Sequence, residues 1–345
     1  MIPLAERADH TAMPYRIVLI PGDGIGPEVT SAARHVVDSA GLDIQWEEHL
    51  AGQTALEKLG SPLPEATLAA VRGASATLKG PTATPSGTGF RSVNVELRQK
   101  LQLYANYRPA KSLPGVPSRY ENVDLIVVRE NTEGLYSGLE HEVVPGVVES
   151  LRIVTETASE RIARFAFDTA RQQGRKRVTC VHKANILKLS DGLFLRTCRR
   201  VAGEFSDIQF DDSIIDATAM KLVLNPKSLD VMVMENLFGD IISDLTAGLV
   251  GGLGLTPSAN IGSGIAVFEA VHGTAPDIAG KGKANPTAVI LSAVLMLRYL
   301  GENEAADRVE RAVRNVYTSG SPRTGDLGGK ASTQEFVAAL LAEMR

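Results

Sequence analysis

The sequence predicts an α/β protein in which helices layer onto a mostly parallel sheet. Three observations carry that expectation. Near the start, the apolar run Tyr15–Ile20 passes through PGDGIGPEV into a helix over 27–40. From 178 to 250, strand-like and helix-like stretches alternate, at 178–182, 192–205, 208–215, 217–224, 231–234 and 241–250. Between these regions, 160–173 carries one apolar stripe of Ile162, Phe165, Ala166, Thr169 and Ala170, closed by Gly174. A chain of 345 residues suits two domains or one large α/β unit.

The turn after the first strand has glycines at 22, 24 and 26. A dinucleotide fingerprint needs another glycine where Pro27 stands and an acidic residue closing a second strand, so that reading is declined. What remains is a tight turn, with Pro27 at the first helical position. Residues 63–72 read as a helix and 74–80 as a short strand. The turn-rich PTATPSGTG leads to a helix over 92–103, and a strand over 123–128 ends at Arg129. Residues 140–156 are β-like, with a hairpin turn at Pro145 and Gly146. The glycine-rich 251–263 is expected to be loop, 266–269 a strand, and HGTAPDIAGKGKANP a long loop. Helices over 286–300 and 304–318 follow, and a capping box at Ser332 and Glu335 opens the last one. No repeat or composition shift marks a linker, so two domains would share the sheet or interleave.

Composition narrows the function classes. The formal charge of −4 and pI near 5.9 argue against nucleic acid as a partner. No apolar run reaches membrane-spanning length. Residues 1–14 lack an apolar core, so they read as a disordered tail and not a secretory signal. The two cysteines, Cys180 and Cys198, fit no metal or redox spacing, which points to a reducing cytoplasmic setting.

The chemistry-bearing residues fall into five groups. Arg98, Arg108 and Arg129, with Ser92 and Asn94 nearby, suit a substrate with several carboxylates if they converge, because a guanidinium pairs carboxylate bidentately. Taken singly, each is an ordinary surface arginine. Tyr136 in RENTEGLYSG is either a packing tyrosine or a general acid. Lys183, at the end of a strand, is either a surface lysine or a group that moves a proton. Asp240 and Asp244 share a helix face. Alone, that pair is a solvated face; with Asp216 it offers oxygen ligands suited to Mg²⁺ or Mn²⁺ rather than zinc. Asp277, in the loop from His272 to Pro286, is placed to accept from a ribose 2′-hydroxyl and would favour NAD over NADP, although Lys281 and Lys283 follow closely.

Together, IPGDGIGPEV, SVNVELRQKLQLYANYRP, VRENTEGLYSG, HKANILKLSDG, ENLFGDIISDLTAGLVGGLG and HGTAPDIAGKGKANP resemble the decarboxylating β-hydroxyacid dehydrogenases. This is the isocitrate/isopropylmalate dehydrogenase family, and the likeness runs from about Tyr15 to the C-terminus. The resemblance implies a three-layer fold that is not a Rossmann fold. It implies a large domain from 15–103 and 251–345, a small domain from 104–250, and a clasping arm near 137–156. It implies that Ser92, Asn94, Arg98, Arg108 and Arg129 bind substrate carboxylates and that Tyr136 and Lys183 are catalytic. Asp240 and Asp244 would hold Mg²⁺ or Mn²⁺, joined by Asp216 of the partner subunit; Lys183 would also come from that partner. Thr84, Asn185, His272, Gly273, Thr274, Ala275, Asp277, Ile278 and Asn285 would contact NAD. A homodimer or larger assembly follows. The implied reaction is NAD-linked oxidative decarboxylation of isocitrate, with homoisocitrate as the alternative. A non-catalytic regulatory subunit ranks lower, because Tyr136, Lys183, Asp240 and Asp244 are all present.

Overall fold

The computed structural model describes residues 14–85 and 89–345. The expected N-terminal tail, all but Pro14, lies outside the described residues, as does 86–88 in the turn-rich stretch. Apolar runs bounded by turn formers become strands, and amphipathic runs become helices. The first part of the chain forms β1 (Tyr15–Ile20), α1 (Gly26–Asp38), β2 (Ile44–Glu48), α2 (Gln53–Leu59), α3 (Glu65–Gly73), β3 (Ala76–Lys79) and α4 (Val93–Lys100). The middle begins with β4 (Ala105–Lys111), β5 (Asp124–Glu130), β6 (Gly134–Val144), β7 (Val147–Ile153), α5 (Glu156–Gln172) and β8 (Arg177–His182). It continues with α6 (Ser190–Ala202), β9 (Gln209–Ile214), α7 (Ile215–Leu224), β10 (Val231–Met234) and α8 (Asn236–Leu249). The last part forms β11 (Pro257–Ile261), β12 (Ala266–Ala270), α9 (Thr287–Leu300), α10 (Asn303–Ser319) and α11 (Thr333–Glu343).

Ten of these strands make one sheet, in the order β2-β1-β3-β12-β11-β4-β5-β10-β8-β9. Both ends of the chain supply the half from β2 to β11, and the middle of the chain supplies the half from β4 to β9. Pairing is parallel from β2 to β12 and from β5 to β9, but antiparallel at β12–β11, β11–β4 and β4–β5. The expectation of a mostly parallel sheet therefore needs correction at its centre: two parallel blocks run in opposite directions, joined by three antiparallel steps.

Strand alternation then splits the core into layers. On β5, Ile126 and Val128 join Ile162 and Phe165 of α5, whereas Leu125 and Val127 join Ile242 of α8. Helices thus cover both faces, as in a three-layer α/β fold. Helix α9 is buried nearly all round, packed against β11, β12, α1 and α10.

One expected loop is in part a strand. Within 251–263, β11 (PSANI) is wholly buried. Its polar residues hide inside because they are satisfied: Asn106 Nδ2 donates to Ser258 Oγ at 2.8 Å and to Asn260 Oδ1 at 3.0 Å. The hairpin β6–β7 turns at Pro145 and Gly146 and leaves Leu139, Val144, Val147 and Val148 exposed. The last helix has the expected capping box at Ser332 and Glu335.

Candidate active site

The antiparallel centre of the sheet positions the site. Arg108 rises from the middle of β4, Arg129 from the end of β5, and Glu269 from β12; α4 brings Asn94 and Arg98 across, and α8 brings Asp240. With Pro81, Thr82, Ser92, Tyr136 and His272 they line one cavity of about 220 Å³. Carboxyl ends of strands supply only part of it, since Arg108 sits mid-strand.

The three arginines do converge, and each is held by the protein. Arg129, 1% exposed, donates through Nε and Nη2 to Asn236 Oδ1 at 2.9 and 2.7 Å and through Nη1 to Asp240 Oδ1. Its Cζ lies 5.0 Å from the centre of the Tyr136 ring. Arg108 donates to the Ser243 hydroxyl, with Asp244 Oδ1 at 3.4 Å and Asp240 Oδ1 at 3.8 Å. Arg98 donates to Glu269 Oε1 at 3.0 Å. Helix α8 can approach this closely because residue 239 is glycine: a Cβ there would overlap Cβ and Cγ of Arg129.

Burial and crowding set the electrostatics. Burial, then the neighbouring Arg108 and Arg98, pulls the Arg129 guanidinium down to about 10, and burial lowers that of Arg108. Both stay charged at neutral pH. For Asp240, burial works upward but is outweighed by Arg129, the Tyr136 hydroxyl and Arg108, so its carboxyl lies below the usual range. Tyr136 Oη donates to Asp240 Oδ2 at 2.5 Å; burial and that carboxylate raise its hydroxyl above the ordinary tyrosine value. His272 Nδ1 donates to Gly273 O, so its buried and unpaired Nε2 is an acceptor, whereas the Nε atoms of Arg98 and Arg108 are buried donors without a hydrogen-bond partner. Unpaired buried donors of this kind suit a ligand that brings acceptors.

Other expected residues stand outside the cavity. Asp244 is half exposed at its rim, with its carboxyl raised by burial and by Asp240. Lys183 pairs with Asp216 elsewhere on the chain, after β8 and at the start of α7, and Asn185 beside it is exposed. Among the described residues, no group of three or more His, Cys, Asp or Glu forms a metal site within one chain. Thr84 Oγ1 lies 3.4 Å from Ser92 Oγ at the mouth. Gly273 is at the edge of the cavity, and Thr274, Ala275, Asp277 and Ile278 continue away from it, Ala275 in a left-handed backbone (φ 39°). Lys281 Nζ donates to the main-chain carbonyl of Asp277 at 2.6 Å, which leaves the carboxylate to other partners. Asn285 is buried beside Tyr317 and Asp326.

Sequence reasoning missed Thr82 and Glu269. Thr82 Oγ1 donates to Asn94 Oδ1 at 3.0 Å and so orients that amide. Glu269 accepts from Lys79 Nζ at 2.7 Å as well as from Arg98 and Asn260. The available signal was Lys79, a charge ending an otherwise apolar strand, which demands a buried partner.

The chain is similar to known proteins over nearly its whole length. A family model described as isocitrate/isopropylmalate dehydrogenase matches residues 16–340. The NAD isocitrate dehydrogenase catalytic subunit 5, mitochondrial, of Arabidopsis thaliana is 55% identical over 95% of this chain and 88% of its own length. The chloroplastic 3-isopropylmalate dehydrogenase of Solanum tuberosum is also 55% identical, over 88% of this chain and 86% of its own. The crystal structure of isocitrate dehydrogenase from Methylococcus capsulatus superimposes with a TM-score of 0.94 at 53% identity, covering 96% of this chain and 99% of that one.

Proposed function

The chain belongs to the isocitrate/isopropylmalate dehydrogenase family, and from that premise we propose that it oxidatively decarboxylates isocitrate to 2-oxoglutarate and CO₂ while reducing NAD. The observation that carries the substrate is the cavity's polarity and charge. Arg98, Arg108 and Arg129 line it with Asp240 and Glu269, three cations against two carboxylates, and the buried Lys79 behind Glu269 offsets Asp244 at the rim. A divalent cation would raise the formal balance from +1 to +3, which a tricarboxylate neutralises and a dicarboxylate does not. Ser92 and Asn94 supply polar contacts on the remaining wall, where an alkyl substituent would leave them unpaired. Homoisocitrate, one methylene longer, shares the charge and remains the alternative.

The donor set fits Mg²⁺ or Mn²⁺. Asp240 and Asp244 present only oxygen, and a hard cation takes the rest of its shell from substrate, water and, on this reading, Asp216 of the partner subunit. When bound, the metal supplies electrophilic stabilisation of charge on the substrate's oxygens. The chain's own groups do the remainder. Arg98, Arg108 and Arg129 clamp carboxylates. Lys183 of the partner subunit would take the hydroxyl proton, and NAD, when bound, would supply the hydride acceptor, whose redox chemistry is the cofactor's own. Tyr136, whose raised affinity keeps its proton in place, then delivers that proton to the carbon left by CO₂. NAD is expected along Thr84, His272–Ile278 and Asn285, with Asn185 from the partner subunit.

Self-association fits the surface. Large apolar side chains are exposed on the β6–β7 arm, at Ile186, Leu187 and Leu189, on α7 at Met220, Val223 and Leu224, and at Ile241 on α8. A monomer rarely leaves that much apolar surface uncovered. Among the described residues, no helix is long and apolar enough to cross a membrane. Both cysteines are buried free thiols, which supports a reducing compartment such as the cytoplasm.

Initial rates on isocitrate, homoisocitrate, isopropylmalate and tartrate, each with NAD and NADP and with Mg²⁺ or Mn²⁺, test the reading. Isocitrate with NAD should give the highest kcat/KM. No turnover of isocitrate by the chain alone would defeat it, and a strong NADP preference would defeat the Asp277 argument.

A further inference from the structure

The motif PGDGIGPEV reads from sequence as a tight turn and no more, yet in the fold it is a hub between two loops. Its main chain grips both. Asp23 N donates to Pro81 O at 2.7 Å, and Ile25 N donates to Thr274 O at 2.9 Å. The approach is so close that a Cβ on Gly22 would overlap the Pro81 carbonyl oxygen, and one on Gly24 that of Thr274. This is why glycines recur here without a dinucleotide fingerprint.

The motif's two carboxylates extend the same grip. Asp23, 6% exposed, accepts from Ala83 N at 2.8 Å, and from Gln53 N and Thr54 N at 2.9 Å each, which ties the 81–85 loop to the start of α2. Glu28, in the first turn of α1, accepts from Ala284 N at 2.9 Å, Gly282 N at 3.2 Å and the Thr333 hydroxyl at the start of α11. Thr333 N also donates to Gly282 O at 2.9 Å, and Ile25 N holds the start of the same loop, but Glu28 is the carboxylate that takes the amides of Gly282 and Ala284. Gly280 and Gly282 both adopt positive φ, at 70° and 64°, and a Cβ on either would meet nothing within 4 Å. A glycine-rich backbone of this kind carries high conformational entropy, and any ligand that needs it ordered loses affinity unless the protein orders it first.

We propose that Glu28 is a positioning residue for NAD: its carboxylate holds the 272–285 loop in nucleotide-binding shape, while Asp23 holds the facing 81–85 loop to the same turn. The proposal rests on the reading that NAD lies along those loops. Glu28 also favours the helix N-terminus as any carboxylate would, so the variants must separate the two roles. Glu28→Gln removes the charge but keeps an oxygen for Ala284 N, whereas Glu28→Ala removes both.

The test titrates NADH calorimetrically into wild type, Glu28→Ala and Glu28→Gln, and measures KM for NAD and for isocitrate beside the melting temperature. Glu28→Ala should weaken NADH binding by about tenfold, the factor expected from losing charge-assisted hydrogen bonds that organise the loop. Its KM for isocitrate should stay where the wild type has it, and Glu28→Gln should fall between. Unchanged NADH affinity in Glu28→Ala, or equal losses for NADH and isocitrate tracking a drop in melting temperature, would overturn the proposal, as would a wild type that binds no NADH. If the wild type binds NADH but does not oxidise isocitrate, the substrate reading fails while the titration still decides the role of Glu28.

Discussion

Glu269 is a single carboxylate on which two buried cations depend. Lys79 is fully buried and Arg98 nearly so, and both end on its two oxygens. Burial alone would raise the Glu269 carboxyl, but Lys79 and Arg98 outweigh it and hold it well below the usual range. The sign follows. With the folded value depressed, the ionised carboxylate contributes its full stability above the unfolded glutamate value of about 4.3 and loses it as pH falls toward the folded one. Glu269→Gln should therefore be less stable at neutral pH, by about 3–5 kcal/mol, because two buried cations lose their counter-charge. Its stability should also fall less than that of the wild type as pH drops below about 4.3. Urea melts at several pH values measure both; parallel curves for the two proteins would count against the assignment. Lys79 signals a buried partner in its own stretch of sequence, but nothing local says which, since Lys79 and Glu269 lie 190 residues apart.

Helix α8 shows the same dependence at the scale of an element. Its approach to β5 is set by Gly239, and the Arg129–Asp240 pair exists only at that separation. Gly239→Ala would favour the helix by propensity yet force the buried Arg129 stem aside. The expected balance is a destabilisation of about 1–3 kcal/mol from overpacking. A loss of about a hundredfold in kcat/KM should accompany it, because a guanidinium displaced by an ångström no longer meets its carboxylate. Wild-type kinetics in this variant would rule out the packing argument. Elements with strong periodicity, such as α5 and α10, or with unbroken apolar runs, such as β1 and β10, were legible in the chain. Strands β4 and β11 were not, because YRPAK and PSANI mix proline and polar residues. Their polar groups are buried only through partners on neighbouring strands, Asn106 with Asn260 above all. The arginines of the site were legible as residue types in order; their convergence depends on β4 and β11 lying between β5 and β12, which no local pattern encodes.

At the scale of the whole molecule, the proposed site is incomplete in one chain. Tyr136 and Asp240 line the cavity, whereas Lys183 and Asp216 pair with each other outside it. Shared sites make a sharp prediction about mixed dimers. Tyr136→Phe and Lys183→Met should each be nearly inactive as homodimers. In a heterodimer of the two, one site combines both defects, and the other combines an intact Tyr136 from one chain with an intact Lys183 from its partner. Random reassortment makes half the dimers heterodimers with one working site of two, so mixing should restore about a quarter of wild-type specific activity. If Tyr136 and Lys183 instead served the same chain's site, every site in the mixture would carry one defect and activity would stay at the homodimer baseline. Dissociating the variants together, letting them reassociate, and assaying isocitrate-dependent NADH formation distinguishes the two outcomes. Separately reassociated variants, mixed only in the cuvette, supply the control, because recovery must then be absent.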